Sequence, residues 1–224
     1  MGLDVITKNV QRPEYFQITE CIEGYFERHG DSPQGMGWPN VPDAMRRHRV
    51  MSELMRNTDK AESPVRLLDV GCGAGQFYDY LSRSEFNAVR YTGIDLSDRF
   101  VQLSQAKFPE GDFRCVDLLA DPDCVETFDY AVLNGVFTMK CGMTFDQMWD
   151  FFQRLVQLVY AKTTRGIAFN TMAKHVDWER DDLFHLPLDL LAPFLCRNLS
   201  RNFIIRNDYG LYEYTTYVYH ERQV

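Results

Sequence analysis

The chain has 224 residues, of which 45% are hydrophobic and 25% are charged, and it carries a formal net charge of −8. These proportions are typical of a soluble globular protein, and the length fits one α/β domain with an added cap. The acidic balance argues against a nucleic-acid or anionic-membrane partner, because both kinds of partner require a basic surface.

The lack of recognisable targeting signals and the pattern of cysteines indicate the cellular compartment. The sequence has no run of about 18–20 apolar residues, so no transmembrane helix is expected. Residues 1–10 lack the apolar stretch of a signal peptide. The six cysteines form no Cys-x-x-Cys pair, which favours reduced thiols. We therefore expect a cytoplasmic protein.

Residues 1–63 precede the predicted sheet and are expected to form a helical cap or lid over residues 64–224. Apolar spacing after a proline predicts a helix over Glu14–Arg28. The Gly- and Pro-rich stretch Gly30–Pro42 predicts a loop, and Asp43–Arg56 returns to helical spacing. The side chains that this cap is best placed to add to a site below it are Tyr15, Trp38 and His48.

The most informative segment is a buried strand that runs into a glycine loop. Val65–Val70 is a short apolar run, as expected of a central parallel strand, and Gln76–Arg83 continues as a predicted helix. Between them lies an Asp-x-Gly-x-Gly-x-Gly pattern formed by Asp69, Gly71, Gly73 and Gly75. Glycines allow the main chain to approach a ligand closely.

The composition of this loop excludes two common phosphate-binding motifs. A P-loop would supply a lysine, and the loop has none. A dinucleotide fingerprint would place a third glycine where Gln76 stands, and Asp69 would repel a pyrophosphate. An acid beside amide-rich glycines instead suits a ligand with a cationic end, such as an amino acid with a sulfonium.

A second acid ends the next predicted strand. Arg90–Asp95 predicts a strand, and Asp95 lies 24 residues after Gly71. This spacing is close to the offset of about 20 residues at which an acid reaches ribose hydroxyls in nucleoside-binding α/β folds. Ser97–Lys107 predicts the helix that follows.

Two further strands end in polar residues. Asp117 follows the predicted strand Asp112–Val116, and Asn134 and Gly135 end the predicted strand Phe128–Gly135. In open α/β sheets, ligands bind outside the carboxyl ends of the strands. These residues are therefore expected to face the same ligand as the glycine loop.

The C-terminal third predicts a long helix, a fifth strand and a terminal hairpin. Its predicted elements are helices over Phe145–Ala161 and Pro187–Asn198, strands over Gly166–Met172, Phe203–Asn207 and Tyr212–Tyr219, and an unpatterned polar loop over Ala173–Leu186. The turn Asp208–Leu211 is too short for a crossover helix, so the last two strands must be antiparallel. The whole predicts a Rossmann-like α/β fold with a seven-stranded, mostly parallel sheet.

This set of features resembles the class I S-adenosylmethionine-dependent methyltransferases. The match rests on the acid-glycine loop, the acids after the next two strands and the terminal hairpin. Five more segments resemble a small bacterial methyltransferase-like subfamily: His29–Trp38, Asn134–Phe137, Gly166–Thr171, Arg180–Leu183 and Asp208–Glu213. The resemblance implies S-adenosylmethionine as cofactor and a small-molecule acceptor.

The resemblance also implies a set of cofactor-binding residues. They are Asp69, Gly71, Gly73, Gly75, Asp95, Leu96, Asp117, Leu118, Asn134 and Gly135. In the family, the acid at Asp95 contacts the ribose, the acid at Asp117 meets the adenine amino group, and the corner at Asn134 lies near the methionine moiety.

The acceptor site is expected where segments 134–139, 170–185 and 208–212 converge. The predicted catalytic residues are His175, Asp181, Asn134 and Tyr209, with His175 and Asp181 as the candidate general base. The alternative is that these are solvated loop residues and that alignment alone drives the reaction. The predicted substrate-binding residues are Trp38, Asn170, Asp182 and Tyr212. The His and Asp spacing matches no metal motif.

Three functions are compatible with these features. The favoured one is methyl transfer from S-adenosylmethionine to an O or N atom of a small molecule, in a biosynthetic pathway. The second is cyclisation of the cofactor itself, which would release methylthioadenosine and azetidine-2-carboxylate. The third is a non-catalytic binding module, since a fold does not fix a function. The oligomeric state is left open.

Overall fold

The computed structural model describes residues 12–56 and 64–223. Residues 1–10, where no signal peptide is expected, and the end of the predicted cap at 57–63 lie outside the described residues.

The described residues form six α-helices and eight strands. The helices are α1 Phe16–His29, α2 Val41–Ser52, α3 Gln76–Ser82, α4 Asp98–Lys107, α5 Phe145–Ala161 and α6 Leu188–Asn198. The strands are β1 Arg66–Val70, β2 Arg90–Asp95, β3 Asp112–Cys115, β4 Phe128–Phe137, β5 Thr163–Ala173, β6 His185–Leu186, β7 Phe203–Arg206 and β8 Glu213–Tyr219. Short 3-10 turns occupy Gln34–Met36 and Glu53–Met55.

One sheet holds all of these strands. Its order is β3-β2-β1-β4-β5-β8-β7, and β6 pairs with β5 beside this path. Strands β1 to β5 are parallel, whereas β8 runs antiparallel to both β5 and β7. The predicted Rossmann-like fold with a C-terminal antiparallel hairpin is confirmed.

The predicted loop Ala173–Leu186 is wrong at its end, where β6 forms. His185 and Leu186 pair in parallel with Met172 and Ala173. Tertiary contacts hold this strand in place: both of its residues are buried, and the His185 ring lies 2.7 Å from the Ala173 carbonyl oxygen. Two residues are too few to create a pattern in sequence.

Apolar side chains cover both faces of the sheet. Leu68 and Leu133 belong to one buried cluster, together with α5 and α6 residues. Leu67 and Val132 belong to a second cluster, together with residues of α2 and α3. Successive strand residues point to opposite faces, so the two clusters lie on opposite sides of the sheet.

The predicted N-terminal cap divides into two parts that pack differently. Helix α2 places Val50 and Met51 in the second core cluster. None of the described side chains of α1 is buried. Helix α2 also begins at Val41, two residues earlier than predicted. Asn40 caps it by accepting a hydrogen bond from the Asp43 amide at 2.9 Å, and a proline is tolerated in the first turn.

Helix α5 matches its predicted bounds because both its cap and its apolar face are local signals. Thr144 and Gln147 form a capping box at its start. Within the described residues, no helix combines the length and apolar character needed to cross a bilayer.

Replacing Phe152 with alanine should remove the centre of the α5 packing. Phe152 is fully buried, and its ring centroid lies 4.8 Å from that of Phe137 and 5.2 Å from that of Phe169. We expect the free energy of unfolding to fall by about 3–5 kcal/mol, measured by urea denaturation.

Arg154→Ala on the same helix is the matched control. Its ion pair with Asp150 is exposed, so the loss should stay below about 1 kcal/mol. Similar losses in the two variants would contradict the assignment of Phe152 to the core.

Candidate functional site

A cavity lies at the carboxyl ends of the parallel strands, beneath α1. It encloses about 1090 Å³ of space, part of which is open to solvent. From above it is lined by Tyr15, Ile18, Thr19 and Ile22. Nine of the ten predicted cofactor residues line it: Asp69, Gly71, Gly73, Asp95, Leu96, Asp117, Leu118, Asn134 and Gly135. We call it the cofactor cavity.

The glycine loop needs its glycines for backbone conformation. Gly71, Gly73 and Gly75 have φ angles of 75°, 54° and 74°, a region that other residues rarely adopt. A side chain at Gly75 would come within 2.9 Å of the Phe108 ring. The tenth predicted residue, Gly75, therefore packs against Phe108 and starts α3 rather than lining the cavity.

Asp95 joins the glycine loop to the next strand. One carboxylate oxygen accepts a hydrogen bond from the Gly73 amide at 2.8 Å, and the other accepts from the Ser97 amide at 2.8 Å. Burial raises the pKa of Asp95, while these two amides oppose the rise. Each oxygen keeps a second lone pair, so the carboxylate can still accept from a ligand.

Asp69 is buried beneath the same loop. Its Oδ2 accepts from the Tyr91 hydroxyl at 2.6 Å, and its Oδ1 has no hydrogen-bond partner among the described residues. Burial raises the pKa of Asp69 to about 7, and the nearby charge of Asp95 adds to this rise. A cationic group in the cavity would favour the ionised form.

Asn134 meets His48 across the cavity. The Asn134 amide nitrogen lies 3.1 Å from His48 Nδ1. Burial and the charge of Arg47 lower the pKa of His48 to about 4, so the ring is neutral at pH 7. In this arrangement Nδ1 accepts the amide hydrogen, and the ring proton sits on Nε2. Asn134 Oδ1 is left without a partner among the described residues.

Tyr15, a residue of the predicted cap, contacts Asp117 at the end of the third strand. The Tyr15 hydroxyl donates to Asp117 at 2.8 Å, and the Tyr15 ring stacks on Phe151 with 5.2 Å between centroids. Burial and this hydrogen bond raise the pKa of Tyr15 to about 12. The residue just before α1 is thereby fixed to the end of β3.

A second cavity adjoins the cofactor cavity and shares Trp38 with it. It encloses about 1450 Å³ of space, part of it open to solvent. Its walls include Tyr25, Met139, Met172, Trp178, Leu183 and Tyr212. Of the predicted substrate-binding residues, Trp38 and Tyr212 therefore line this cavity.

A buried network connects the two cavities. Arg47, which lines the second cavity, donates to Glu213 from Nε at 2.8 Å. Glu213 also accepts from the Asn170 amide at 3.1 Å and from the Tyr209 hydroxyl at 3.3 Å. Asn170 Oδ1 in turn accepts from the Gly135 backbone amide at 2.7 Å. Asn170 and Tyr209 therefore support the Gly135 corner from behind.

The remaining predicted residues do not line either cavity. His175 and Asp181 are exposed and are not among the residues that line either cavity. Asp182 is also exposed, and its carboxylate binds the Arg180 guanidinium. The base role proposed for His175 and Asp181 stays a prediction without support from cavity geometry. No group of three or more His, Cys, Asp or Glu side chains in the described ranges could hold a metal ion.

Sequence reasoning missed Arg47 and Glu213. Glu213 carried a usable signal, because a single carboxylate in the apolar strand Tyr212–Tyr219 predicts a buried, paired charge. Arg47 sits in an Arg-Arg-His-Arg run that looks like a solvated helix face. His48 was considered only as a cap residue.

The comparisons with known proteins identify the family. A methyltransferase-domain family model matches residues 68–162. The Mycobacterium tuberculosis (strain ATCC 25618 / H37Rv) protein named "putative methyltransferase Rv1506c" is 30% identical over 163 residues, which cover 70% of this chain and 95% of that protein. The chain belongs to the methyltransferase family. This confirms the resemblance seen in the sequence, with S-adenosylmethionine as the cofactor.

Solved methyltransferases share the fold. Magnesium protoporphyrin IX methyltransferase (ChlM) from Synechocystis PCC 6803, solved with bound SAM, has a TM-score of 0.61 at 13% identity, covering 92% of this chain and 97% of that chain. The plantazolicin methyltransferase BamL, in complex with an analogue and SAH, also has a TM-score of 0.61 at 13% identity, covering 94% and 96%. At this identity the likeness establishes the fold alone.

The raised pKa of Asp69 predicts a pH-dependent stability difference. The folded-state pKa of about 7 exceeds the ordinary value of 3.8, so the folded protein binds the extra proton between these pH values. The wild type should therefore lose stability relative to Asp69→Asn as pH rises from about 4 to about 7, by at most about 1.4 kcal/mol per pH unit. Urea denaturation of both proteins without cofactor measures this difference.

Comparing the two proteins at each pH cancels the contribution of His48, whose lowered pKa works in the opposite direction. Stability curves that run parallel across this range would contradict the assignment.

Proposed function

We propose that this methyltransferase transfers a methyl group from S-adenosylmethionine to an O or N atom of a small molecule. The observation that carries the proposal is the pair of unpartnered buried oxygens, Asp69 Oδ1 and Asn134 Oδ1, in the cofactor cavity. Buried acceptors without donors are costly, so they suit a ligand that brings several donors and a positive charge. The amino group of a methionine moiety has both.

The other cavity residues fit the rest of this cofactor. The carboxylate of Asp95 lies where it can accept from ribose hydroxyls, and Asp117 with Leu118 forms the wall expected near the adenine. His48 acts as a positioning residue in this scheme. Its Nδ1 holds the Asn134 amide nitrogen, so the Asn134 oxygen remains available to the ligand.

When bound, S-adenosylmethionine supplies the methyl group: an acceptor lone pair forms the new bond to carbon, the carbon–sulfur electron pair stays on sulfur, and the acceptor proton passes to solvent or a base. Alignment of acceptor, methyl and sulfur is the contribution that we assign to the lining residues. Of the three histidines that line the cavities, His48, His185 and His29, the first two are occupied by hydrogen bonds. His48 Nδ1 is already occupied. His185 contacts the Ala173 carbonyl through Nδ1 and accepts the Arg180 amide at Nε2, so its ring has no free lone pair.

The second cavity is the proposed acceptor site. It shares Trp38 with the cofactor cavity, so a molecule bound there lies next to the methionine end. We further propose that α1 covers the cofactor, whereas α2 belongs to the core. The predicted division into a cap at 1–63 and a domain at 64–224 therefore stays a proposal, in which only α1 acts as the cap.

Replacing Asp95 with alanine should weaken cofactor binding. The variant loses the carboxylate that would accept ribose hydroxyls and that fixes the Gly73 amide. We expect the Kd for S-adenosylhomocysteine to rise by about 5- to 150-fold, equivalent to about 1–3 kcal/mol, in isothermal titration. Asp98→Ala removes an exposed acid three residues away and should leave the Kd unchanged. Wild-type binding of NAD but not of S-adenosylhomocysteine would refute the cofactor assignment.

Product analysis distinguishes the three candidate functions. The protein is incubated with S-adenosylmethionine, alone and with a panel of small hydroxylated and amino compounds, and the products are separated by chromatography. Methyl transfer predicts S-adenosylhomocysteine only when an acceptor is present. Methylthioadenosine from the cofactor alone would instead support cyclisation. Tight cofactor binding without either product would support a binding module.

A further inference from the structure

Two exposed aromatic side chains stand at the second cavity. Among the described residues, the exposed large hydrophobic side chains are Val41, Met45, Trp178, Leu188, Leu190, Ile204 and Tyr212. Trp178 and Tyr212 are the aromatic members of this set, with exposed fractions of 60% and 57%, and both line the second cavity. An exposed indole beside a cavity is typical of a binding surface.

These two rings come from different segments and lie next to each other. Trp178 lies in the connection between β5 and β6, and Tyr212 precedes β8. Their ring centroids are 6.3 Å apart and their planes meet at 49°. They therefore form one pair of neighbouring aromatic rings, here called the wedge, whose exposed surfaces a flat ligand could cover.

Further apolar groups continue the surface inward. Trp38 and Tyr25 line the same cavity together with Met139 and Met172. Thioether sulfur makes favourable contacts with aromatic rings. The cavity thus offers flat or polarisable contacts from the wedge to Trp38, which also borders the cofactor cavity.

The arginine and aspartate side chains that line this cavity form ion pairs within the protein. Arg47 binds Glu213 through Nε and Nη2, and its guanidinium lies 5.7 Å over the Trp38 ring. Its Nη1 is buried and has no hydrogen-bond partner among the described residues. Arg180 binds Asp182, and Asp43 lies 3.7 Å from Arg46. Because each of these charges has an opposite charge beside it, the cavity provides little net attraction for a charged acceptor. The aromatic surfaces then provide the contact area, and Arg47 Nη1 can donate to a neutral oxygen or nitrogen of the ligand.

We propose that the acceptor is an uncharged, planar aromatic molecule, such as a phenol or a hydroxylated heteroaromatic, held by Trp178 and Tyr212. This inference rests on the proposed function, because it names the substrate class for the acceptor cavity. The ring stacks at the wedge, and its hydroxyl or amine lies toward Trp38 and the cofactor cavity.

Binding of two matched probes tests the substrate class without requiring turnover. The probes are 2-naphthol, which is planar and aromatic, and 2-decalol, which has the same carbon skeleton and hydroxyl but is saturated and not planar. Isothermal titration of each probe is carried out with the protein in excess S-adenosylhomocysteine. We expect 2-naphthol to bind about three- to tenfold more tightly than 2-decalol, as aromatic contacts provide.

Variants then locate the probe. Trp178→Ala and Tyr212→Ala should each weaken 2-naphthol binding about three- to tenfold, and Trp178→Phe should retain most of it. Ile204→Ala is the control, because this side chain is exposed but does not line the cavity. All four variants should bind S-adenosylhomocysteine as the wild type does.

Equal affinity for the two probes, no measurable binding of 2-naphthol, or unchanged binding in Trp178→Ala and Tyr212→Ala would each overturn the proposal. Failure of the proposed function has a different signature. In that case S-adenosylhomocysteine would not bind, or no acceptor would be methylated, while the comparison of the two probes could still be made.

Discussion

The carboxylate of Asp95 is the contact on which the site depends. It accepts from Gly73 in the loop after β1 and from Ser97, the residue that caps α4. This one side chain therefore holds together the carboxyl ends of β1 and β2 and the glycine loop that follows β1. The cost of burying this charge, visible in its raised pKa, is offset by two backbone amides. A cofactor bound here meets a surface that is already organised.

Two buried polar side chains supply unpartnered hydrogen-bond acceptors to the cofactor cavity. Asp69 and Asn134 each present an oxygen with no partner in the described part of the chain, and each is held from behind, by Tyr91 and by His48 respectively. Fixed orientation matters because a mobile side chain could turn toward other donors. The same logic explains the neutral state of His48, since a charged ring could not accept the Asn134 hydrogen. In the proposed function, cofactor recognition would depend on these supporting contacts as well as on the groups that touch the ligand.

The second cavity, which is the proposed acceptor site, differs in character from the cofactor cavity. Its charges are paired within the protein, and its exposed surface is aromatic. The Arg47–Glu213 pair links α2 to β8, and through Asn170 it supports the Gly135 corner of the cofactor cavity. One buried network therefore connects α2, the Gly135 corner of the cofactor cavity and the wall of the second cavity. Removing Arg47 or Glu213 alone would leave a buried charge unpaired, which is strongly destabilising.

The parallel sheet, the long helix α5, the terminal hairpin and most residues that line the cofactor cavity could be predicted from the sequence. Each of these depends on local signals: apolar periodicity, a capping box, a short turn, and glycines and acids at strand ends, where the topology of an open sheet fixes the ligand. The polar residues around the proposed acceptor cavity could not be predicted from the sequence. His175 and Asp181 were predicted from their residue type but are exposed and do not line either cavity. Arg47 and Trp178 line the second cavity, and Glu213 binds Arg47 from a distant segment. Spacing along the chain specifies periodic elements, but it carries no information about which surface loops meet over a site.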